Sequence, residues 1–209
     1  KSHSGLFNVS MRDLSGGISA SYNSSAKVTA ASLYKLYVID VVYTKAAKGE
    51  IDLASEVMPG KTYEACIDLA IVRSDNPCAL AMGDKIGWQA NDGFLASQGF
   101  GSTTLGRTGG FFTTAKDTMN YLLKLQNGSL VQSNYGSSML SQMRRQIYRA
   151  GIPSGSTGTV ANKVGFIDGY NHDAGIVYHP NGTYVLVIMS KGSNFANIAD
   201  LSRQISNLM

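Results

Sequence analysis

A serine and a lysine three positions apart, Ser32 and Lys35, are the residues of this chain best placed for covalent chemistry. They lie in the segment ASLYKLYVID, whose apolar residues have helical spacing, and residues i and i+3 of a helix share a face. A serine hydroxyl is a poor nucleophile until a neighbouring base takes its proton, and a lysine with a lowered pKa can be that base. The alternative is a helix-capping serine followed by a surface lysine.

The same Ser-x-x-Lys spacing occurs a second time, at Ser24 and Lys27, so the spacing alone identifies nothing. Ser24 lies in the polar turn segment YNSSAK, whereas Ser32 opens the predicted helix. Only the second pair is therefore predicted to hold its amine beside its hydroxyl.

Two further motifs follow Ser32 along the chain. A Ser-Asp-Asn triplet at 74 to 76 lies at the junction of two predicted helices, and Lys-Val-Gly at 163 to 165 lies on a predicted strand. Each is ordinary by itself, as a turn and as a strand. In this order, on helix, interhelix loop and strand, the three motifs resemble the signature elements of the penicillin-recognising serine hydrolases.

The resemblance is to the class A β-lactamases and the related D-alanyl-D-alanine peptidases, and it covers nearly the whole chain. It includes the hairpin before Ser32, the stretch YRAGIPSG before the third motif, and the ending of two strands and a helix. It implies a sheet packed by the terminal helices, a helical lobe, and a site between them. It also implies an acyl-enzyme route on a small-molecule β-lactam or a peptidoglycan stem peptide, with no metal and no cofactor.

The family's roles carry over position by position. The resemblance makes Ser32 the acylated nucleophile and Lys35 the base that activates it. Ser74 would relay a proton to the leaving nitrogen, and Asn76 would bind the substrate amide and position the Lys35 amine. Lys163 would supply positive charge for the substrate carboxylate and the Ser74 hydroxyl.

The third motif also supplies the substrate-binding strand, with Val164, Gly165 and Phe166. The resemblance implies an oxyanion hole from the backbone N–H groups of Ser32 and Phe166. The family usually carries Thr or Ser where this chain has Val164, and that hydroxyl helps bind a carboxylate. Weaker binding of an antibiotic carboxylate is the expected consequence.

The glutamate that activates the deacylating water in class A β-lactamases has no counterpart. This chain has glutamate only at positions 50, 56 and 64, all before the second motif. The acids between the second and third motifs are interpreted as helix-surface, turn or capping residues: Asp84, Asp92 and Asp117. A glycine-rich segment at 97 to 114, the least ordered by composition, includes the place of the missing loop. Acylation with slow turnover of β-lactams is therefore predicted.

Two other functions remain open. One is a D-alanyl-D-alanine peptidase or penicillin-binding protein, which resolves its acyl-enzyme through Lys35 and Ser74. The other is a catalytically impaired protein that binds a cell-wall ligand, which the missing glutamate and Val164 favour. The intact set of five polar motif residues argues against that impaired form.

The predicted fold is α+β, with an antiparallel sheet of about five strands flanked by helices and an all-helical lobe inserted. Alternating segments at 5–14 and 18–23 form a hairpin, and three β-branched runs follow residue 158, two of them joined across the Asn181-Gly182 turn. A lone hairpin is marginally stable, so it is expected to join the later strands. We treat 1–209 as one domain, with 1–31 plus about 150–209 as the sheet lobe and about 32–149 as the helical lobe.

Composition narrows the classes of partner. The chain has 209 residues, 44% of them hydrophobic, and a net charge of +4 without a basic run, so nucleic-acid binding is not expected. No apolar run approaches the ~20 residues of a membrane span. His3, His172 and His179 lack a metal-ligand spacing, and PGKT at 59–62 is an incomplete phosphate loop.

Cys66 and Cys78 are twelve positions apart, on two predicted helices with a reversal between them. A disulfide and a pair of buried thiols both remain open. The chain lacks an initiator methionine and a signal pattern, so a processing site before residue 1 is expected. The resemblance implies an exported, extracellular or cell-wall-associated monomer, with an upstream membrane anchor as an open alternative.

Overall fold

The structure is a computed structural model that describes residues 4–106, 110–131 and 133–209. Its strands are β1 Leu6–Asp13, β2 Ser19–Tyr22, β3 Val28–Thr29, β4 Glu56–Met58, β5 Lys61–Thr62, β6 Thr104–Gly106, β7 Gly110–Thr113, β8 Thr159–Ile167, β9 Tyr170–His179 and β10 Gly182–Lys191. Its helices are α1 Tyr34–Ala47, α2 Tyr63–Val72, α3 Asn76–Ile86, α4 Asp92–Ser97, α5 Ala115–Gln126, α6 Ser133–Arg144, α7 Ile152–Gly155 and α8 Phe195–Ser206, with 3₁₀ turns at Ala31–Leu33 and Gln89–Asn91.

The main sheet has five antiparallel strands in the order β2-β1-β10-β9-β8. The N-terminal hairpin joins the C-terminal strands because β1 pairs with β10 along its whole length, from Leu6 opposite Lys191 to Asp13 opposite Tyr184. The predicted α+β fold and the predicted joining of the two chain ends are both confirmed. The strand that carries the third motif, β8, lies at an edge of the sheet.

Both faces of this sheet are buried, because alternate residues of its inner strands enter two different cores. From β10, Val185, Val187 and Met189 pack into the larger core with α1 and α5. Their neighbours Leu186 and Ile188 pack into a second core with α8. The sheet therefore separates the helix that follows Ser32 from the C-terminal helix.

The helix that follows Ser32, α1, is central to the larger core. Every residue from Tyr34 to Tyr43 is buried, so the helix is enclosed on all sides over ten residues. A helix buried all round is normally apolar all round. The two charged residues within this stretch, Lys35 and Asp40, are therefore the polar groups whose burial requires an explanation.

The helix after Ser32, the two helices around Ser74 and the C-terminal helix, which the sequence predicts, are present as α1, α2, α3 and α8. Thr114 caps α5 by accepting a bond from the Asp117 N–H at 2.9 Å. Helices α4, α6 and α7 and the strands of the two small sheets were not predicted from the sequence. The glycine-rich segment is ordered where described: β6 and β7 form a three-stranded sheet with β3. Residues 107–109 and His3 lie outside the described ranges. No described helix combines the length and hydropathy needed to cross a membrane.

Cys66 and Cys78 form a disulfide that joins α2 to α3, with their Cα atoms 4.8 Å apart. Both residues are fully buried. Of the two alternatives left open by the sequence, the structure therefore has the bond.

Candidate active site

Ser32 lies in the 3₁₀ turn Ala31–Leu33, between β3 and α1, and is partly buried. The capping positions of the turn and of α1 are Ala30 and Leu33, and neither makes a side-chain capping bond. The interpretation of Ser32 as a helix cap is therefore wrong. Ala31 has a φ of +45°, which non-glycine residues rarely adopt. Such a conformation persists only where the surroundings hold it, and such positions cluster at functional sites.

The Lys35 side chain is fully buried and reaches three of the motif residues at once. Its Nζ lies 3.1 Å from Ser32 Oγ and 3.2 Å from Ser74 Oγ. It also donates to Asn76 Oδ1 at 2.7 Å and to the Ser74 carbonyl oxygen at 2.5 Å. One amine thus joins the first two sequence motifs.

The number of acceptors around Lys35 decides what its neutral form can do. A charged lysine has three N–H donors, and four oxygens surround this one. The neutral amine has two N–H donors, which can both be used in the two shortest contacts, to Asn76 Oδ1 and to the Ser74 carbonyl oxygen. Its lone pair is then available to accept the proton of Ser32 Oγ.

Burial lowers the pKa of Lys35 from 10.5 to about 8, because desolvation penalises the charged amine. The negative charge of Asp75 opposes this shift, and it is the smaller of the two effects. A substantial neutral fraction is therefore present in mildly alkaline solution. A lowered lysine pKa beside a serine hydroxyl is the condition that makes such a pair reactive.

The Lys163 side chain is also fully buried and meets the Ser74 hydroxyl from the other side. Its Nζ donates to Ser74 Oγ at 2.8 Å and to the Val164 carbonyl oxygen at 2.7 Å. Burial, and then the charge of Lys35, hold the pKa of Lys163 well below its usual value, while Asp173 acts in the opposite direction. The Ser74 hydroxyl therefore lies between two amines, and an incoming anion would favour the charged form of Lys163.

The loop between α2 and α3 presents Ser74 and Asn76 to these amines. Ser74 has a φ of +58°, again a left-handed conformation at a non-glycine residue. The Asp75 side chain caps α3 by accepting from the Cys78 N–H at 2.8 Å, and Pro77 occupies the first turn. This capping role of Asp75 was not predicted from the sequence. Asp followed by Asn-Pro at the start of a helix is a capping signal from which it could have been predicted.

Strand β8 lies directly against the Ser32 turn. A Cβ on Gly165 would lie 3.0 Å from the Ser32 nitrogen and 3.1 Å from the Ala30 carbonyl oxygen. Side chains alternate along a strand, so Lys163 and Gly165 face the turn, while Val164 and Phe166 point to the other face. Gly165 is therefore the residue of the third motif that lies against Ser32, and Lys163, on the same face of the strand, reaches Ser74 instead.

The side chains of the other two predicted binding residues differ in exposure. Val164 is fully buried, so its contribution to a ligand site is limited to its backbone. Phe166 is 46% exposed and packs edge-on against Tyr148, with ring centroids 5.4 Å apart. Because β8 is an edge strand, backbone N–H groups on its free side have no strand partner. This edge is compatible with the predicted use of the Phe166 N–H.

Replacing Gly165 by alanine is expected to slow any reaction at Ser32, because the new methyl group meets fixed backbone atoms rather than flexible side chains. Displacements near 1 Å at a reacting group can cost about 10²-fold in rate. The control is Gly93→Ala, since no atom lies within 4 Å of a Cβ built there. The rate of labelling of Ser32 by a penicillin measures the effect, and equal rates for the two variants would contradict it.

The three acids between the second and third motifs all have structural partners. Asp84 accepts from Trp88 Nε1 at 2.7 Å, and Asp92 from the Leu105 N–H at 2.8 Å. Asp117 accepts from the Ser102 N–H and the Thr103 hydroxyl at 2.9 and 3.0 Å. Strand β7, which lies in the glycine-rich segment 97–114, supports the Ser32 turn, because the Ala30 N–H donates to the Phe111 carbonyl oxygen. The described residues of this segment therefore add a backbone hydrogen bond beside Ser32 and no carboxylate.

His172 is a fully buried residue with structural contacts. Its Nδ1 accepts from the Ser190 N–H at 3.1 Å, and its Nε2 lies 2.8 Å from the Thr29 carbonyl oxygen. The two contacts define a neutral ring with its proton on Nε2, and burial lowers the pKa of His172. The ring ties the end of β3 to the main sheet.

A buried, hydrogen-bonded cluster of polar side chains beside β8 was not predicted from the sequence. Asp173 accepts from Asn162 Nδ2 and from the Ile152 N–H, both at 2.8 Å. Arg149 donates to Asn162 Oδ1 at 2.7 Å and to the Val160 carbonyl at 2.9 Å. Burial raises the pKa of Asp173 to about 7 despite these bonds. The group fixes the position of the strand that carries Lys163.

The site combines a serine paired with a buried lysine, a second serine between two amines, and an edge strand beside the Ser32 turn. The whole chain, residues 1–209, matches the beta-lactamase enzyme family. The protein belongs to that family. No curated protein sequence matches the chain significantly.

Solved structures of the same fold agree with this assignment. PBP-A is 22% identical and aligns with a TM-score of 0.88 over 97% of this chain and 89% of that one. An acyl-enzyme complex of a PBP-A variant with penicillin G aligns at 0.89, with the same identity and coverage. A beta-lactamase from Sphaerobacter thermophilus DSM 20745 is 22% identical and aligns at 0.86 over 98% and 93% of the two chains. At these identities the likeness concerns the fold alone.

Proposed function

We propose that the protein is a serine hydrolase that forms an acyl-enzyme on Ser32 with β-lactams or peptidoglycan-type amides, and that its β-lactam turnover is slow. The observation that carries the proposal is the 3.1 Å contact between Ser32 Oγ and the buried Lys35 Nζ. Family membership and the acyl-enzyme of a PBP-A variant with penicillin G support it. The disulfide is typical of oxidising compartments and supports an exported, cell-wall-associated protein.

In the proposed acylation step, Ser32 Oγ attacks the amide carbonyl carbon and its proton passes to the neutral Lys35 Nζ. The C–N bond breaks, and the leaving nitrogen takes a proton from the Ser74 hydroxyl, which Lys35 replenishes across 3.2 Å. Lys163 holds that hydroxyl from the other side, at 2.8 Å. The N–H groups of Ser32 and Phe166 stabilise the oxyanion.

Substrate positioning falls to the loop and the edge strand. Asn76 would hydrogen-bond the substrate amide through its NH₂ group, since its Oδ1 already accepts from Lys35. Lys163 would attract a substrate carboxylate and become charged in doing so. Val164 has no hydroxyl and its side chain is fully buried, so Lys163 is the expected polar contact of this carboxylate, and its binding is expected to be weaker than in relatives with Thr or Ser at this position.

Deacylation is the step for which the site is least equipped. Hydrolysis of the ester needs a base beside the attacking water, and each acid between the two later motifs already holds local structure. The remaining base is Lys35, with Ser74 as its relay. This is the route of a D-alanyl-D-alanine peptidase, in which the same two groups act on water in place of the leaving amine, and the missing carboxylate favours that alternative over a fast β-lactamase.

Intact-protein mass spectrometry over time, after adding penicillin G, tests the proposal. The expected result is an adduct with the mass of the whole penicillin that persists in the native protein and is absent from Ser32→Ala. Ser24→Ala is the matched control, because it removes the serine of the other Ser-x-x-Lys pair. Release of D-alanine from a stem peptide would identify the peptidase alternative.

The other outcomes separate the candidate functions. Rapid loss of penicillin without an adduct, abolished in Ser32→Ala, would contradict the slow turnover and establish a working β-lactamase. A stoichiometric adduct from which no product is ever released would support the impaired ligand-binding protein, whereas slow release of the hydrolysed penicillin supports the hydrolase. Neither adduct nor substrate loss would overturn the proposed acylation.

A further inference from the structure

The Cys66–Cys78 disulfide encloses the loop between α2 and α3 that carries Ser74 and Asn76. Ser74 and Asn76 both lie between the two bridged residues, and Cys78 is only two positions after Asn76. Cys66 is in the first half of α2, and Cys78 is in the first turn of α3. The bond therefore closes a ring of chain from which the two side chains reach Lys35.

Besides the bonds to Lys35 and Lys163, contacts from its own two helices hold this loop. Within α2, the Leu69 carbonyl accepts from the N–H groups of Arg73 and Asp75, at 3.0 and 3.1 Å. The Asp75 side chain caps α3 through the Cys78 N–H. The left-handed conformation of Ser74 is one that a free chain would leave, so it requires an external constraint.

The distances from Lys35 to the loop leave little room for movement. Its Nζ is 2.7 Å from Asn76 Oδ1 and 2.5 Å from the Ser74 carbonyl oxygen. A shift of α3 by about 1 Å away from the amine would break the contact to Asn76, change the direction of the Lys35 lone pair, and admit water beside the amine.

We propose that the Cys66–Cys78 disulfide is a positioning element of the acylation site, which holds Ser74 and Asn76 against Lys35. A dithiol reductant would transfer two electrons and two protons to the two sulfurs, giving two thiols and an oxidised dithiol. The S–S bond would be lost and α3 released from α2. Both sulfurs are buried, with Met58 Sδ 4.0 Å from Cys78 Sγ, so reduction is expected to be slow in the folded protein. The inference rests on the proposed acylation of Ser32.

The main test compares the double variant Cys66→Ala/Cys78→Ala with the native protein and with Ile198→Ala. Ile198 is fully buried in the second core, on the far side of the sheet. Its truncation lowers stability without touching the loop. The expected result is acylation by penicillin G at least 10-fold slower in the double variant at 25 °C and unchanged in Ile198→Ala.

A second readout distinguishes positioning from a general loss of stability. The pKa of Lys35 can be followed by NMR in unliganded protein labelled at lysine. Looser packing is expected to let water reach the amine and to raise that pKa in the double variant, but not in Ile198→Ala. Should the double variant fail to fold, native protein reduced with dithiothreitol, with two thiols counted by alkylation, replaces it in both measurements.

The two levels of inference fail separately. Absence of acylation in the native protein would overturn the proposed function, while the Lys35 pKa would still show whether the disulfide positions Ser74 and Asn76. Acylation of the disulfide-free protein within twofold of native, with an unchanged Lys35 pKa, would overturn the positioning role.

Discussion

Lys35→Ala is expected to slow the acylation of Ser32 by about 10²- to 10⁴-fold, the usual contribution of a positioned general base. The native protein keeps the Lys35 amine 3.1 Å from Ser32 Oγ and desolvated. In the variant, the described residues offer the hydroxyl proton no other amine, because Lys163 contacts Ser74 rather than Ser32. Intact-protein mass spectrometry on samples quenched at successive times after adding penicillin G gives the rate of acylation.

The pH dependence of the same rate tests the protonation state that the mechanism needs. The pKa of Lys35 is lowered to about 8, and only the neutral amine can accept a proton. The native acylation rate is therefore expected to rise with pH and to level off above about 8. The profile of Lys35→Ala is expected to lack this rise.

Lys27→Ala is the matched control, since it removes the lysine of the second Ser-x-x-Lys pair. Lys27 is exposed, and its Nζ lies 5.7 Å from the centroid of the Phe112 ring. Its variant should acylate at the native rate with the native pH profile. A loss below tenfold in Lys35→Ala, or a native rate that is flat between pH 6 and 9, would exclude Lys35 as the base.

The main sheet could be predicted because its strands follow local rules. The β1–β2 and β9–β10 segments alternate or carry β-branched residues, and Asn181-Gly182 specifies the turn between the last two strands. Helix α6 could not be predicted in this way. Its sequence SNYGSSMLSQMR is rich in serine, asparagine and glycine, which favour turns. Met139 and Met143, four residues apart and fully buried, attach it to the core, so packing overrides propensity.

The site was predictable in its residue types and only partly in its geometry. The spacing of Ser32 and Lys35 placed the hydroxyl beside the amine, as found. The left-handed backbone at Ala31 and Ser74 has no local signal, because neither residue type favours it. The short strand β7 pairs with the distant β3, where Val28 lies opposite Thr113, and β6 pairs with β7. Such a long-range partner cannot be inferred from a glycine-rich segment alone.

The other charge buried in α1, Asp40, has consequences for stability rather than chemistry. It is 1% exposed, and neither of its carboxyl oxygens has a hydrogen-bond partner in the described part of the chain. Burial raises the pKa of Asp40 from 3.8 to about 8, against a smaller opposing effect of the Lys124 charge on α5. The folded protein therefore holds this carboxyl in its neutral form at pH 7.

Asp40→Asn is expected to raise the free energy of unfolding by a few kcal/mol at pH 8 and to have little effect near pH 4. Between these values the folded protein keeps a proton that the unfolded chain releases, so native stability falls as the pH rises, by at most about 1.4 kcal/mol per unit from this group. Asparagine resembles the protonated acid and removes this loss. Asp173, with a pKa raised to about 7, gives both proteins a similar slope, which the difference between them cancels.

Urea unfolding of both proteins at pH 4.5, 6, 7 and 8.5 measures this difference, which is expected to grow up to about pH 8 and then to remain constant. Asp168→Asn is the control: Asp168 is exposed and has a φ of +46°, a conformation that asparagine adopts as readily as aspartate. A difference that is independent of pH would mean that Asp40 is ionised in the folded protein and has found a partner. The gain at high pH, if observed, would show that this family member carries a buried acid at a cost in stability, five residues beyond the lysine proposed to activate Ser32.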